Sequence, residues 1–101
     1  MNMPRKAGIS FAISAIEDLE DIRQGYSEQD AHDVGERLLQ EILTQVERLA
    51  EFPESGRIVP EFGVGQLREI IHPPFRVVYR LDEDRVRVVR VWRSELLLKM
   101  P

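Results

Sequence analysis

The chain has 101 residues, of which 43% are hydrophobic and 32% charged, proportions that fit one soluble globular domain over residues 1–101 with a single core. It contains no cysteine, which excludes a disulfide framework, a thiolate metal site and a cysteine nucleophile. The N-terminal apolar run is too short for a signal peptide, and no stretch approaches the roughly 18 apolar residues of a membrane span. We therefore expect a cytoplasmic protein without membrane contact.

The net charge of −4 is divided unevenly along the chain. Residues 1–67 carry −7, whereas residues 68–101 carry +3. An acidic first part and a basic second part suggest that the basic part contacts an anionic partner. The alternative is that arginine is simply the solvent-facing residue of strands in the second part.

The first part of the chain predicts a strand followed by a helix. Residues Gly8 to Phe11 form a short apolar run that fits an edge strand. Ser14, with Glu17 three residues later, is typical of a capping box at a helix start, and Gly25 predicts the helix end. Apolar side chains recur at helical spacing between them, so one face of this helix should pack on a core.

A second amphipathic helix of about 25 residues is predicted from Ser27 to the stop at Phe52-Pro53. Gly35 lies inside it and indicates close packing against the first helix, since glycine is otherwise unfavourable there. The two helices bury both of their apolar stripes if they form an antiparallel hairpin over one sheet face. The stripe of the second helix comprises Ala31, Val34, Leu38, Ile42, Val46 and Leu49.

Three consecutive strands are predicted from Gln66 to Arg93, after a long loop from Pro53 to Gly65. Valine, isoleucine, leucine and aromatic residues alternate with arginine, and the alternation is interrupted at Pro73-Pro74 and at Asp82-Glu83-Asp84. Short connections favour an antiparallel meander. The expected order is β-α-α-β-β-β, an α+β fold in which a helical hairpin packs on one face of an antiparallel sheet.

The last two strands have one register that keeps an apolar face together. In this register Val78, Val89 and Val91 join the arginines on the opposite face. The predicted cross-strand pairs are Leu81 with Val86, Tyr79 with Val88, Val77 with Arg90 and Phe75 with Trp92.

Side chains that commonly serve catalysis or metal binding are sparse. His32 and His72 have no second ligand at helical spacing, so we predict structural roles for them and no metal site. The carboxylates between Glu17 and Asp21 are expected to form a solvated helix face. No serine lies in a nucleophile-elbow context, so hydrolase chemistry has no support. No phosphate-binding glycine loop is present, and we expect no cofactor.

Arginine is the remaining candidate for function. Guanidinium groups bind phosphate in bidentate fashion and can stabilise developing negative charge. Cleavage of a phosphodiester would also need a proton donor and acceptor, which the sequence does not place beside the arginines, so binding of an anionic surface is favoured. The arginines that we predict to gather at one side of the sheet as a target-binding set are Arg57, Arg68, Arg76, Arg80 and Arg93.

Several segments resemble, in their order and spacing, the RelE/ParE superfamily of toxins from type II toxin–antitoxin systems. The resemblance extends over nearly the whole chain and implies the same β-α-α-β-β-β fold. The segments are residues 15–22 (AIEDLEDI), 49–53 (LAEFP), 56–61 (GRIVPE), 67–70 (LREI), 75–80 (FRVVYR) and 89–93 (VRVWR).

The resemblance implies one of two activities. RelE-like members cut mRNA on the ribosome with a set of basic residues, whereas ParE-like members lack that set and inhibit DNA gyrase. Arg76 matches one RelE arginine, but the RelE lysine positions fall near Leu67 and Glu69, or near Arg68 and Ile70 if the alignment slips by one. Most of the nuclease set is then missing, which favours a ParE-like gyrase inhibitor without catalysis of its own. If the chain is a ribosome-dependent endoribonuclease, its candidate catalytic residues are Arg76, Arg68 and Arg93. A third alternative is an inactive toxin that only binds its antitoxin.

The resemblance also implies a cognate antitoxin, whose C-terminal segment would wrap the helical hairpin and the sheet. Residues Leu96 to Leu98 are too apolar for a free chain end and should pack on the body or on another chain. The predicted antitoxin-binding residues are Leu38, Ile42, Trp92, Leu96 and Leu97.

Overall fold

The computed structural model describes residues 6–94. Its elements, in chain order, are β1 (Gly8–Phe11), α1 (Ile13–Glu28), α2 (His32–Arg48), β2 (Arg57–Ile58), β3 (Leu67–His72), β4 (Phe75–Asp82) and β5 (Arg85–Arg93). The five strands form one sheet in the order β1-β5-β4-β3-β2. Both helices pack on one face of that sheet, which confirms the predicted α+β fold.

The sheet is mixed, and it has one strand more than predicted. Strands β3, β4 and β5 form the expected antiparallel meander. Strand β1 pairs with β5 in parallel. Parallel neighbours need a long connection, which here consists of all the elements between the two strands. The additional strand β2 has two residues, lies within the predicted long loop, and pairs antiparallel with β3.

The register of β4 against β5 follows the prediction near the turn and departs from it at a β-bulge. The confirmed pairs are Leu81 with Val86 and Tyr79 with Val88. Beyond them Val78 pairs with Arg90, which leaves Val89 as an extra residue on β5. A bulge of one residue sends every later side chain of the strand to the other face of the sheet.

Three predictions for the end of β5 are wrong because of this bulge. Val77 pairs with Val91 and not with Arg90. Val91 belongs to the core between sheet and helices and not to the opposite face. Trp92 pairs with Arg76 instead of Phe75, and it lies half-buried on the face away from the helices. Alternation along a strand cannot reveal an inserted residue, since the residues on both sides of the bulge still alternate.

The start of α1 lacks the predicted capping box. Its N-cap is Ala12, which makes no side-chain capping bond. The Ser14 hydroxyl instead donates to the Val89 carbonyl oxygen at 2.7 Å, and the Asp18 carboxylate accepts from the Val91 N–H at 2.8 Å. Because β1 covers only the first part of β5, these side chains satisfy backbone groups on the uncovered edge. Ser14 therefore makes a tertiary hydrogen bond to β5 and does not cap α1.

The turn between the helices lies later than predicted. Helix α1 continues through Gly25 to Glu28, and α2 begins at His32 and not at Ser27, so that it is 17 residues long. The chain reverses through Asp30, which has a φ of 55°. Aspartate tolerates this left-handed conformation better than most residues, so the turn needs no glycine.

The helices approach each other closely at Gly35, as predicted. A Cβ atom on Gly35 would lie 2.7 Å from the Cβ of Tyr26 on α1. A Cβ on Gly25, by contrast, would meet no atom within 4 Å. The two helical glycines therefore differ in whether their lack of a side chain is required.

Alanine substitutions at these two glycines should have opposite effects on the free energy of unfolding. Gly25→Ala should stabilise the protein by about 0.5–1 kcal/mol, because alanine is the better helix former and the space is open. Gly35→Ala should destabilise it by about 1–3 kcal/mol, because the new methyl group overpacks the contact between the helices. Urea unfolding followed by circular dichroism measures both, and an unchanged Gly35→Ala protein would contradict the packing argument.

The main core fills the layer between the sheet and the helices. Strand alternation supplies the residues from β4 and β5, and helical spacing supplies those from α2. Among the described residues, no helix is long and apolar enough to span a bilayer. The buried core residues are Ala7, Ala15, Ile42, Val46, Leu49, Phe75, Val77, Tyr79, Val86, Val88 and Val91.

Candidate functional site

A network of charged side chains lies on the sheet face away from the helices. Arg57 on β2 pairs directly with Glu69 on β3, and Arg76 on β4 projects to the same face. The Glu69 side chain is fully buried, and its carboxylate accepts from the Nε atoms of both arginines, at 2.6 Å in the case of Arg76. Arg76 itself is only 3% exposed. One buried carboxylate is therefore shared by two guanidinium groups.

Glu61, in the loop after β2, completes this network. Its two carboxylate oxygens accept from the two terminal nitrogens of Arg76 at 2.8 and 3.0 Å. This is the bidentate geometry in which arginine binds carboxylates and phosphates most strongly. The network contains two arginines and two glutamates, so its charges balance.

The bidentate contact shifts the pKa of both partners. Hydrogen bonds to Glu61 raise the pKa of Arg76 above its ordinary value, against the opposing effect of burial. Hydrogen bonds from Arg76 lower the pKa of the Glu61 carboxyl to about 2. Arg76 is thus a fully engaged cation, and an external anion could bind it only by displacing a carboxylate.

Removing the Glu61 charge should change stability in a pH-dependent way. The folded-state pKa of about 2 lies below the ordinary value of 4.5, so the ion pair contributes fully above pH 4.5 and is lost as the pH falls through 2. We expect Glu61→Gln to be less stable than the natural protein at neutral pH, with the difference shrinking between these pH values. Urea unfolding across this range measures it. Glu47→Gln, an exposed change on α2, gives the general effect of losing one carboxylate, and a difference that does not vary with pH would contradict the assignment.

Arg68 and Tyr79 hold the segment before β2, and Arg68 also holds the end of the loop that carries Glu61. The Arg68 guanidinium donates to the backbone carbonyl oxygens of Glu54, Gly56 and Gly65 at 3.1–3.2 Å. The Tyr79 hydroxyl donates to another loop carbonyl, that of Pro53, at 2.7 Å and accepts the Gly56 N–H at 3.0 Å. Burial raises the pKa of Tyr79. Arg68 therefore holds the loop and does not form part of a phosphate-binding set with Arg76.

The predicted arginine set does not gather in one place. Arg57 and Arg76 are joined through their shared carboxylate, but Arg68 projects to the helix side of the sheet. Arg80 lies near the β4–β5 turn, where it pairs with a neighbouring aspartate at 2.8 Å. Arg93 lies at the other end of β5, with its guanidinium carbon 5.6 Å from the centroid of the Phe75 ring.

A different group of arginines carries the accessible positive charge. Arg80 pairs directly with Arg87 on the face away from the helices, and Arg85 follows on the same side of β5. All three are exposed, and within residues 6–94 neither Arg85 nor Arg87 has an ion-pair partner. We refer to Arg80, Arg85 and Arg87 as the arginine strip. The strand pattern predicts all three on this face, but of the three the predicted target-binding set contains only Arg80.

The predicted antitoxin-binding residues have varied positions. Ile42 is 1% exposed and belongs to the main core, so it cannot serve as a docking residue on this surface. Leu38 is half-buried against that core, and Trp92 is half-buried on the opposite face. Leu96 and Leu97 lie outside the described residues.

A partly apolar groove of about 560 Å³ lies between β3 and the end of α2. Strand β2 pairs with β3 only as far as Glu69, so at Ile71 the edge of β3 that faces away from β4 has no neighbouring strand among the described residues. The side chains of Phe52 and Ile71 line the groove and are 58% and 40% exposed. Arg48 also lines it and has no ion-pair partner within residues 6–94. An uncovered strand edge of this kind is a template for an added strand.

Both histidines make local contacts. His72 lies between Gln45 and Glu41 of α2, at 2.6 and 3.0 Å, and so connects the end of β3 to that helix. His32 contacts the Ser27 hydroxyl at 3.3 Å. In the described part of the chain, no group of three or more histidine, aspartate or glutamate residues is placed to hold a metal ion.

Comparison with known protein families identifies the family to which the chain belongs. The model of the ParE toxin of type II toxin–antitoxin systems, parDE, matches residues 9–96. The chain belongs to the ParE toxin family. No curated protein sequence matches it significantly.

Solved structures share the fold of this ParE-family chain. The chromosomal ParDE system from P. aeruginosa has a TM-score of 0.73 at 21% identity, over 87% of this chain and 96% of that one. The RelBE2 toxin–antitoxin complex from Mycobacterium tuberculosis has a TM-score of 0.64 at 17% identity, over 88% and 99%. The YoeB dimer from Staphylococcus aureus has a TM-score of 0.60 at 14% identity, over 88% and 98%. At these sequence identities, the similarity to the solved structures shows a shared fold and nothing more.

The carboxylate network of this ParE-family chain lies where the resemblance puts basic residues in RelE-like members. The β3 positions near which the resemblance puts RelE-like lysines hold Leu67 and Glu69 in this chain. Glu69 adds a buried negative charge beside Arg76 where a nuclease would concentrate positive charge. Glu61 then occupies the remaining donors of that arginine.

Proposed function

We propose that this ParE-family protein is a toxin that inhibits DNA gyrase by binding it, without catalysis of its own. It acts in the cytoplasm as one domain formed by residues 1–101. The observation that supports this proposal best is the state of Arg76, the one arginine that matches the RelE set. Its donors are bonded to two carboxylates, so it offers no free cation to a scissile phosphate. The accessible positive charge lies on the arginine strip, where it can contact an acidic surface.

A gyrase supercoiling assay on purified, partner-free protein tests this proposal. We expect inhibition with trapped cleaved DNA. We expect the double change Arg85→Ala/Arg87→Ala to weaken it about tenfold or more, because neither charge has an ion-pair partner within residues 6–94. Arg37→Ala removes an exposed arginine from α2 and is the matched control. Equal loss in the control would show that net charge matters and the position of the strip does not.

The ribosome is the alternative target. Cleavage of mRNA on translating ribosomes, abolished by Arg76→Ala, would replace the gyrase proposal with a RelE-like endoribonuclease centred on Arg76, Arg68 and Arg93. Absence of activity in both assays, together with tight antitoxin binding, would indicate an inactive toxin that serves only as a binding partner.

We further propose that a cognate antitoxin binds this chain through an extended segment in the groove beside β3. The free backbone groups of Ile71 can pair with a strand, the Phe52 side chain offers apolar contact, and Arg48 favours an acidic residue in the segment. Two of the similar structures are described as toxin–antitoxin complexes, RelBE2 and the Escherichia coli DinJ–YafQ complex. Phe52→Asp should weaken capture by the antitoxin encoded beside this toxin while gyrase inhibition persists, and unchanged capture would place the interface elsewhere.

A further inference from the structure

The loop that carries Glu61 is attached to the protein mainly at its ends. Residues 60–66 are all exposed, including the side chains of Phe62 at 59% and Val64 at 46%. Val59 is buried at one end, and the Gln66 carbonyl oxygen accepts the Leu81 N–H at 2.7 Å at the other. Between these points, two side-chain contacts connect the described loop to the sheet: the bidentate contact of Glu61 in its middle and, near its end, the bond from Arg68 Nε to the Gly65 carbonyl oxygen at 3.1 Å. Displacing the middle of the loop would therefore expose little apolar surface.

The arginine beneath the loop is held in a fixed orientation. Arg76 lies within β4, and Glu69 binds its Nε atom and also contacts Nη2. Both terminal nitrogens, Nη1 and Nη2, donate to Glu61. Arg57 lies on the other side of Glu69 and keeps a 60% exposed side chain. If Glu61 moved away, a preformed two-donor site for an oxyanion would remain, and it would have lost only its occupant.

We propose that this site is a receptor for a carboxylate of a partner polypeptide, and that Glu61 occupies it when the partner is absent. The native occupant is itself a carboxylate, and the exposed Phe62 beside it indicates an acidic residue with an apolar neighbour. A nucleic-acid backbone fits less well. With Glu61 displaced, the network has a charge of only +1, because Glu69 remains, whereas binding a phosphate chain depends on neutralising several charges.

The inference does not depend on gyrase being the target, and the chain contains a reporter for its test. Trp92 is the only tryptophan in the sequence. It pairs directly with Arg76 across the two strands, on the same face of the sheet. Its fluorescence should therefore respond when the occupant of Arg76 changes.

A peptide with the sequence of the loop itself provides the probe. We would titrate a capped peptide of residues 59–64 (VPEFGV), and the same peptide with glutamine in place of glutamate, into the natural protein and into the Glu61→Gln variant. The acidic peptide should bind Glu61→Gln about tenfold or more tightly than the natural protein, because the internal competitor has been weakened. The glutamine peptide should bind neither protein, and Glu61→Gln/Arg76→Lys should lose binding, because lysine cannot form the two-donor fork.

Three results would overturn the proposal. One is equal binding of the acidic and glutamine peptides to Glu61→Gln, which would mean that the carboxylate is not recognised; this comparison needs no further protein variant. Another is a Trp92 response to a short single-stranded DNA, but not to the acidic peptide, which would assign the site to nucleic acid. The third is a negative peptide titration beside a positive gyrase assay, which would reject this receptor and leave the proposed function intact.

Discussion

Glu69→Ala should destabilise the protein by about 3–5 kcal/mol, the range typical of removing one partner from a buried ion pair. The Glu69 side chain is fully buried and binds both Arg57 and Arg76. Its removal leaves the guanidinium of Arg76, with a side chain only 4% exposed, without its buried counter-charge. Urea unfolding monitored by Trp92 fluorescence and by circular dichroism measures the loss.

Two further variants separate charge from shape. Glu69→Gln keeps the side-chain volume and one hydrogen-bond acceptor, so we expect a smaller loss of about 1.5–3 kcal/mol. Glu69→Leu/Arg76→Met removes the buried pair together and should recover most of the stability, since apolar replacements of buried ion pairs are often neutral. If Glu69→Ala alone cost less than about 1 kcal/mol, solvent would have to reach Arg76, and the description of this network as buried would be wrong.

The fold could be predicted because its main signals are periodic. One apolar face is defined by the alternation in β3, β4 and β5, and another by the helical stripe of α2. Both faces are buried when the helices pack on one side of the sheet. The details that failed depend on contacts between distant residues. Ser14 resembles a helix cap, but its hydroxyl binds β5, 75 positions away, and no local pattern contains that information.

The carboxylate network was missed for a related reason. Glu69 lies within an alternating strand, and a charged residue at such a position ordinarily faces solvent. Alternation does not show that Arg57 on β2 and Arg76 on β4 share Glu69, or that the loop after β2 brings Glu61 to the same arginine. One signal was available, since the family segments contain Glu61, Glu69 and Arg76 in order. Recognising it required the register of β2 against β3, and β2 is only two residues long.

Gly56→Ala should be the most damaging of the glycine substitutions, with a loss of about 2–5 kcal/mol from overpacking and disrupted buried hydrogen bonds. A Cβ on Gly56 would lie 2.6 Å from the Tyr79 hydroxyl oxygen and 2.8 Å from the Glu69 carbonyl oxygen. Tyr79 cannot easily move aside, because it is fully buried and its hydroxyl also donates to the Pro53 carbonyl. Urea unfolding measures the effect, and Gly65→Ala, where a Cβ would meet no atom within 4 Å, is the matched control.

A double change distinguishes close approach from backbone flexibility as the reason for this glycine. Gly56 does not have a positive φ, so an alanine is conformationally acceptable there and only the contact forbids it. Tyr79→Phe removes the nearest atom, and although it costs about 1–3 kcal/mol by itself, the two changes together should cost less than their sum. Strict additivity would contradict the contact as the cause. Because Gly56 directly precedes Arg57, its displacement should also weaken the pairing of Arg57 with Glu69, which connects this contact to the charged network.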